Sequence, residues 1–239
     1  MVKTFGMTPK YMLGSRFFSH ENKFVAGIDY YRTDFDSNNY AMFGEAVQSL
    51  SGVRKASYSG YAQNEFTLYK KLVLVGGYRY EAANYDFGYH DETGMNPDIH
   101  TEVQPKMKVY NAGLLYNYQE ESSVFFTVGR SFRFPQVDEF TYYDDFFVQK
   151  LDTNLRPQSS TNYQVGLRHW FPKRTLLNLS LFRMKVKDYL FFNNVNGALG
   201  WTGRNENYDR SVHEGIEASL QGKPGKYLEL FGSYTFTKA

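Results

Sequence analysis

Apolar and polar residues alternate with period two along much of the chain, and this pattern predicts β-strands. From Ser57 to Tyr69 one face reads Tyr58, Gly60, Ala62, Asn64, Phe66, Leu68, and the other Ser57, Ser59, Tyr61, Gln63, Glu65, Thr67. From Leu72 to Ala82 the apolar face is Leu72, Leu74, Gly76, Tyr78 and Tyr80, opposite Arg79 and Glu81. Val212, Ile216, Ala218 and Leu220 oppose His213, Gly215, Glu217, Ser219 and Gln221. Leu228, Leu230, Tyr234 and Phe236 oppose Glu229, Ser233 and Thr235. About ten such segments of about 10 to 16 residues can be counted. Strands of globular proteins average only ~5–6 residues. A tilted strand crossing lipid takes about 9–11, and an extension above the membrane accounts for the rest.

The spacing of the turns sharpens this reading. Short polar turns fall at Ser19 to Asn22, Lys70-Lys71, Gln119 to Ser122, Pro172 to Arg174 and Lys223 to Lys226, about 50 residues apart. Between them lie long polar segments: Asp36 to Gly52, His90 to Gln104, Pro135 to Gln158 and Asn193 to Arg210. Short turns at one end and long loops at the other are the asymmetry of outer-membrane barrels. Phe18, Tyr69, Tyr118, Phe171 and Tyr227 each sit beside a short turn, where an interfacial aromatic girdle belongs. A large antiparallel sheet in a soluble protein would alternate in the same way, but nothing would put aromatics at one end of every hairpin. The predicted fold class is therefore all-β: an antiparallel up-and-down transmembrane β-barrel, with about ten strands in this chain. One strand is irregular. From Leu176 to Leu190 the apolar face starts as Leu177, Leu179, Leu181 and continues as Phe182, Met184, Val186. The expectation is a bulge near Leu181, or else early leucines that face a partly apolar lumen.

Composition removes several classes. The 239 residues carry 27 basic and 25 acidic side chains, net +2, so no basic face is implied and nucleic acid is not an expected partner. There is no cysteine, which excludes a disulfide framework and Cys-based zinc or redox motifs. The longest apolar runs, such as Leu72-Val73-Leu74-Val75, are far short of the roughly 20 residues of a membrane helix. A negative mean hydropathy does not exclude a barrel, whose strands give only half their residues to lipid. Met1 to Ser15 contains no apolar core of signal-peptide length. Aromatics make up 18% of the chain, which suits surfaces that are dry at one end and wet at the other. No Gly-rich phosphate loop, nucleophile elbow or metal-ligand spacing occurs.

Four segments carry a family resemblance. Gly129-Arg130-Ser131-Phe132-Arg133-Phe134-Pro135-Gln136-Val137-Asp138-Glu139-Phe140 resembles the "FRAP" box of TonB-dependent outer-membrane receptors, which is followed by an acidic residue and an aromatic or leucine. The stretch from Asn154 to Leu167, with Asn154-Leu155-Arg156-Pro157 and Asn162-Tyr163-Gln164-Val165-Gly166, resembles that family's "NPNLKPE…NYELG" segment. Leu181 to Leu190 resembles the strand that follows, and Gly215-Ile216-Glu217-Ala218 the "GVE" hairpin after it. Order and spacing agree with the family from about residue 129 to 239, and the resemblance is weaker before. Phe132, Arg133, Phe134, Pro135, Asn154, Leu155, Pro157, Gly215 and Glu217 are expected to be mainly architectural. Pro135 and Pro157 cannot donate to a ladder and suit strand ends.

The resemblance implies a plugged barrel of 22 strands in the outer membrane of a Gram-negative bacterium, so the strands here are about ten strands of a larger barrel. It implies uptake of a scarce ligand, such as a ferric siderophore or cobalamin, driven by the TonB complex. It implies no enzyme activity and no resident cofactor. Residues 1–239 read as barrel alone, with no plug domain or TonB-contacting box, so both ends of the receptor are expected to lie elsewhere. Expected partners are membrane lipid, a small-molecule ligand such as a metal chelate, and TonB through the N-terminal part. Ligand contact is expected in the loop Asp138 to Asp152, through Tyr142, Tyr143, Asp144, Asp145 and Phe146, where the two Asp could also help hold calcium. The bland alternative is a loop that packs its own aromatics over the barrel mouth. His90 and His100 lie in another outer loop and are weak haem candidates. Two rival readings are a ten-stranded rim protease, using Asp86, His90, Asp91 and the Asp144-Asp145 pair, and a passive porin or adhesin.

Overall fold

The computed structural model describes residues 1–40, 46–94, 97–143, 149–172, 174–195, 202–223, 225 and 227–239. Its strands, in chain order, are β1 (Val2–Met7), β2 (Lys10–Phe17), β3 (His20–Tyr40), β4 (Val47–Leu68), β5 (Leu72–Asp91), β6 (Ile99–Val103) and β7 (Lys106–Asn117). They continue as β8 (Ser123–Arg133), β9 (Thr141–Tyr143), β10 (Gln149–Leu151), β11 (Gln158–Phe171), β12 (Thr175–Val195), β13 (Thr202–Gly222) and β14 (Leu230–Lys238). Twelve of them form one antiparallel sheet in the order β1-β3-β4-β5-β7-β8-β11-β12-β13-β14, with β2 on β3 and β6 on β5. The remaining two, β9 and β10, form a separate small hairpin.

Two prolines explain why twelve strands make ten passes. Met7 opposes Tyr30 and Lys10 opposes Gly27, so β1 and β2 share one register on β3. Pro9 sits in the gap, and its carbonyl still accepts from the Ile28 N–H at 3.2 Å. Val103 opposes Tyr85 and Lys106 opposes Ala82, so β6 and β7 likewise share one register on β5. Pro105 sits in that gap, its carbonyl accepting from the Ala83 N–H at 3.0 Å. Proline has no N–H to give the ladder, and at each point the pairing skips a beat and resumes.

The strands run further into the polar segments than alternation predicts. β3, β4, β12 and β13 each have 21 or 22 residues, and they take up most of Asp36 to Gly52 and Asn193 to Arg210. Above the lipid both faces of a strand are wet, so no apolar face is needed and the sequence there reads as loop.

Register assigns every side chain to a face. On one face lie Ile28, Tyr58, Leu74, Tyr78, Tyr110, Leu114, Phe126, Val165, Leu179, Leu181, Ile216, Leu220, Tyr234 and Phe236, all exposed. Exposed aromatic and aliphatic groups in continuous cross-strand rows are a lipid-facing surface. The opposite face is polar over the same span. Arg79 donates to Asp29 at 2.6 Å and to Glu81 at 2.6 Å, and Ser59 donates to Asp29 at 3.0 Å. This inner face also holds the buried cluster of Val53, Ala83, Tyr85, Phe87, Phe134, Val137, Phe140, Leu155 and Leu190, at its outer end.

The irregular strand resolves in neither expected way. β12 keeps one register from Thr175 to Lys187 against both β11 and β13, without a bulge at Leu181. Leu177, Leu179 and Leu181 face outward beside Leu167, Val165 and Ile216, not into the lumen. Phe182, Met184 and Val186 lie on the inner face, and Phe182 is apolar there because it covers a glycine. A Cβ on Gly215, directly across from Phe182, would run into the Phe182 ring and the Phe236 carbonyl oxygen. The same device recurs where the Phe125 ring lies over Gly166 on the neighbouring strand.

Candidate functional site

The inner wall at the outer end of the sheet is crossed by the connection between β8 and β11. The strap begins where β8 ends. The Phe132 and Phe134 rings meet edge-on at 4.8 Å, and the buried Pro135 follows them. The Tyr85 hydroxyl, two strands away on β5, donates to the Pro135 carbonyl at 2.6 Å. Tyr85 is fully buried, and burial pushes its phenol above the ordinary range. It therefore stays a neutral donor at any physiological pH.

A tight turn follows. The Glu139 N–H donates to the Gln136 carbonyl at 3.1 Å, while the Glu139 carboxylate accepts from the Gln136 N–H at 2.7 Å. That carboxylate also receives Arg133 Nη1 on both oxygens at 2.8 Å. Arg133 and Glu139 thus tie the two ends of the Phe-Pro corner by a charge-assisted pair. Phe140 then drops between Tyr85 (5.0 Å) and Phe87 (4.8 Å). Lys55 on β4 reaches over the Tyr85 and Phe134 rings at 5.1 and 5.5 Å. Burial lowers the Lys55 ammonium from its ordinary value, opposed by the Glu81 and Glu139 carboxylates.

The far side of the strap is held by β12 and β13. Asn205 Nδ2 donates to the Glu139 carbonyl at 3.2 Å. The Arg156 backbone is gripped on both sides by Asn207, N–H to Oδ1 at 2.7 Å and Nδ2 to the carbonyl at 2.9 Å. The Arg156 guanidinium meets Asp188 at 2.7 and 2.9 Å. Gln158 accepts from the Leu190 N–H at 3.1 Å, and Leu155 is buried in the aromatic cluster. The strap therefore links β4 and β5 on one side to β12 and β13 on the other.

The strap continues into the β9–β10 hairpin, which lies against β13, with Tyr142 paired to Lys150 and Tyr143 to Gln149. Tyr142 is half-buried. Asp144, Asp145 and Phe146 lie outside the described residues, as do Phe147 and Val148. The hairpin base is closed by the Asp152 N–H, which donates to the Phe140 carbonyl at 2.7 Å. Of the residues in the sequence boxes, Phe132, Arg133, Phe134, Pro135 and Leu155 come together in the strap, with Asn154 and Pro157 flanking Leu155 and Arg156. The Asn154 N–H donates to Asp152 at 3.0 Å. Gly215 and Glu217 are elsewhere, on the inner face of β13, where Ser180 donates to Glu217 at 3.3 Å.

Sequence reading missed Tyr85, Lys55, Asp188, Asn205 and Asn207. The two asparagines carried a signal, because residues 205 and 207 recur at period two inside Arg204-Asn205-Glu206-Asn207. His90 pairs with Asp98 at 2.8 Å, and His100 faces Asp86 at 3.6 Å. Asp98 raises the His90 imidazole above its ordinary value, and His90 lowers the Asp98 carboxyl. Among the described residues no three His, Asp or Glu converge as a metal site.

Comparison with known proteins places this architecture. In fold the chain resembles a copper transporter, OprC (TM-score 0.76, 16% identity), covering 99% of this chain and 38% of that one. It resembles the hemophore receptor HasR of Serratia marcescens, solved with its hemophore HasA and heme (TM-score 0.76, 16% identity, 100% of this chain and 42% of that one). It also resembles the ferric-catecholate import receptor Fiu of E. coli K12 (TM-score 0.72, 16% identity, 99% and 38%). The chain thus spans about two fifths of the length of these structures. The family model described as TonB dependent receptor-like, beta-barrel matches residues 3–239. With a lipid-facing outer surface, a polar inner wall and a strap across its outer end, the chain belongs to the TonB-dependent receptor β-barrel family, in the outer membrane of a Gram-negative cell.

Proposed function

We propose that these ten passes are one part of a larger barrel that imports a scarce small molecule, such as a metal chelate, with energy from the TonB complex. In this reading the lumen plug and the TonB-contacting segment belong to the rest of the receptor. The family is one of transport receptors. The observation that carries the reading is the strap: a connection of family-like sequence is folded against the inner wall and fixed to β5, β8, β12 and β13. A rigid base of this kind gives the hairpin that continues from it a defined position over the barrel mouth.

Tyr142, Tyr143, Asp144, Asp145 and Phe146 are then the proposed ligand-contacting residues, and the Phe132 to Pro135 and Asn154 to Pro157 boxes the support. Among the described residues the edge strands, β1/β2 and β14, do not pair with each other, which favours part of a larger barrel over a ten-stranded rim protease. The ligand class is tested by uptake in cells that carry the full-length receptor and lack their other importers. Radiolabelled ferric catecholate, haem and copper are offered in turn, with and without TonB. TonB-dependent uptake of one of them supports the proposal. TonB-independent uptake of all three would leave a passive pore.

A further inference from the structure

Charge on the outward face divides between the two halves of the sheet. Above the lipid-facing rows of β3, β4 and β5, acids and bases neutralise one another. Asp34 sits between Arg32 and Arg54 at 3.2 Å each, Arg54 reaches Asp86 at 3.8 Å, and Asp86 faces His100. On β8, β12 and β13 the outward face is different. Arg130 opposes Thr161, which opposes Lys185, and Lys187 opposes Arg210 one step further out. Lys185, Lys187 and Arg210 are exposed, and among the described residues neither they nor Arg130 have a carboxylate within ion-pair distance. Among the described residues, the acid paired nearby on this face is Glu214, taken by Arg183 at 3.5 Å.

Their height is set by the strands. β12 leaves its short turn at Thr175, and about 9–11 residues cross the hydrocarbon. Its outward residues run Leu177, Leu179, Leu181, then Arg183, Lys185, Lys187. On β8, Arg130 directly follows Val124, Phe126 and Val128, and on β13 Arg210 lies beyond Ile216 and Glu214. The cations therefore begin where the apolar rows stop, at headgroup level. Lys185 lies over the Tyr163 ring at 5.9 Å, which keeps its stem against the sheet. Strands spaced about 4.8 Å apart put Arg130 and Lys185 roughly 10 Å from each other, within reach of one headgroup.

We propose that Arg130, Lys185, Lys187 and Arg210 form a binding site for the phosphate headgroup of outer-leaflet lipid. Four cations with no ion-pair partner among the described residues, held against a membrane, attract a multivalent anion, and a lipid phosphate is delivered there by its own acyl chains, which lie on Val165, Leu181 and Ile216. The proposal rests on outer-membrane placement alone and stands whether or not the importer reading does.

The test is native mass spectrometry of the full-length receptor in phosphatidylcholine nanodiscs doped with phosphatidic acid. Wild type is expected to retain phosphatidic acid, with retention falling as salt rises. The K185Q/K187Q/R210Q variant is expected to lose it roughly a hundredfold. K185R/K187R/R210K should keep it, as should R32Q/R54Q on the neutralised half. Equal retention by the Gln variant overturns the proposal, as does loss in the charge-preserving one. Displacement by equimolar inorganic phosphate would overturn the commitment to lipid. Should the Gln triple variant fail to fold, the single K185Q and K187Q variants give the same comparison at smaller amplitude.

Discussion

The Tyr85 hydroxyl donates to the Pro135 carbonyl at 2.6 Å across a separation of fifty residues, inside a cluster sealed from solvent. This one bond joins the inner wall of β5 to the strap that leaves β8. Tyr85→Phe keeps the ring stacked on Phe87 but leaves the Pro135 carbonyl buried without a donor. Such a loss costs about 1–3 kcal/mol. Denaturant unfolding of the full-length receptor in detergent should show a lowered midpoint, while Tyr85→Leu should fall further because the rings of Phe87 and Phe140 also lose a neighbour. Equal midpoints for wild type and Tyr85→Phe would remove the bond from the account.

Glu139 is the other fixed point, since it receives both Arg133 and the Gln136 N–H. Glu139→Ala leaves the Arg133 guanidinium without its counter-charge and opens the turn. The expected result is faster proteolytic nicking between Gln136 and Pro157, with the strands of the sheet still protected. Arg133→Lys should give an intermediate rate, because an ammonium cannot reproduce the guanidinium's geometry.

How much of this was readable in the sequence follows from where the constraint lies. Leu72 to Ala82 alternates because lipid faces one side and polar groups the other, so β5 was legible there. Tyr85, Phe87 and Tyr89 continue the same strand, yet they face inward, toward a loop whose approach only the fold decides. The family-like words gave the strap's own residues, Phe132 to Pro135 and Asn154 to Pro157. They did not give the anchors Lys55, Tyr85, Asn205 and Asn207, which come from strands far away in sequence, and they gave Asp188 only as part of a strand. Pro9 and Pro105 could have been read as interruptions within strands, but a proline in a polar stretch reads first as a loop.

The β5–β6 connection should depend on pH through His90 and Asp98. Asp98 raises the His90 imidazole above 6.5, so its contribution is full below that value and is lost as pH rises through the shifted one. His90 lowers the Asp98 carboxyl below 3.8, so that contribution is full above 3.8 and is lost as pH falls through the shifted value. Both hold between 3.8 and 6.5. Hydrogen exchange at Ile99 to Val103, corrected for its intrinsic pH dependence, should be slowest inside that window. His90→Asn should flatten the profile, and an unchanged profile would show that the pair does not hold the loop.

Gly166 and Gly215, each lying under a phenyl ring, predict opposite responses to one kind of rescue. A Cβ at Gly166 meets chiefly the Phe125 ring, a side chain that can be trimmed. Gly166→Ala should destabilise the barrel, and adding Phe125→Leu should recover part of the loss. A Cβ at Gly215 meets the Phe236 carbonyl oxygen as well as the Phe182 ring, and backbone cannot be trimmed. Gly215→Ala should stay defective with Phe182→Leu added. Folding yield into detergent micelles reads both pairs.

Leu179 and Ser180 are neighbours in sequence and face opposite sides of the sheet, Leu179 toward lipid and Ser180 toward Glu217. Both lie near the middle of the crossing that begins at Thr175. An arginine on the lipid side at midplane depth costs about 2–4 kcal/mol in a membrane barrel. The same arginine at Ser180 enters a polar lumen, with the Glu217 carboxylate opposite. Leu179→Arg is therefore expected to lower the unfolding midpoint sharply in bilayers, and Ser180→Arg to leave it near wild type. A bulge at Leu181 would leave these two positions alone and reverse the next pair. Leu181→Arg and Phe182→Arg complete the test. In the continuous register Leu181 is the lipid-side position, so its arginine is disfavoured by lipid, whereas Phe182→Arg loses only the ring over Gly215. If Phe182 proved to be the position lipid rejects, the register of β12 beyond Ser180 would be wrong by one residue.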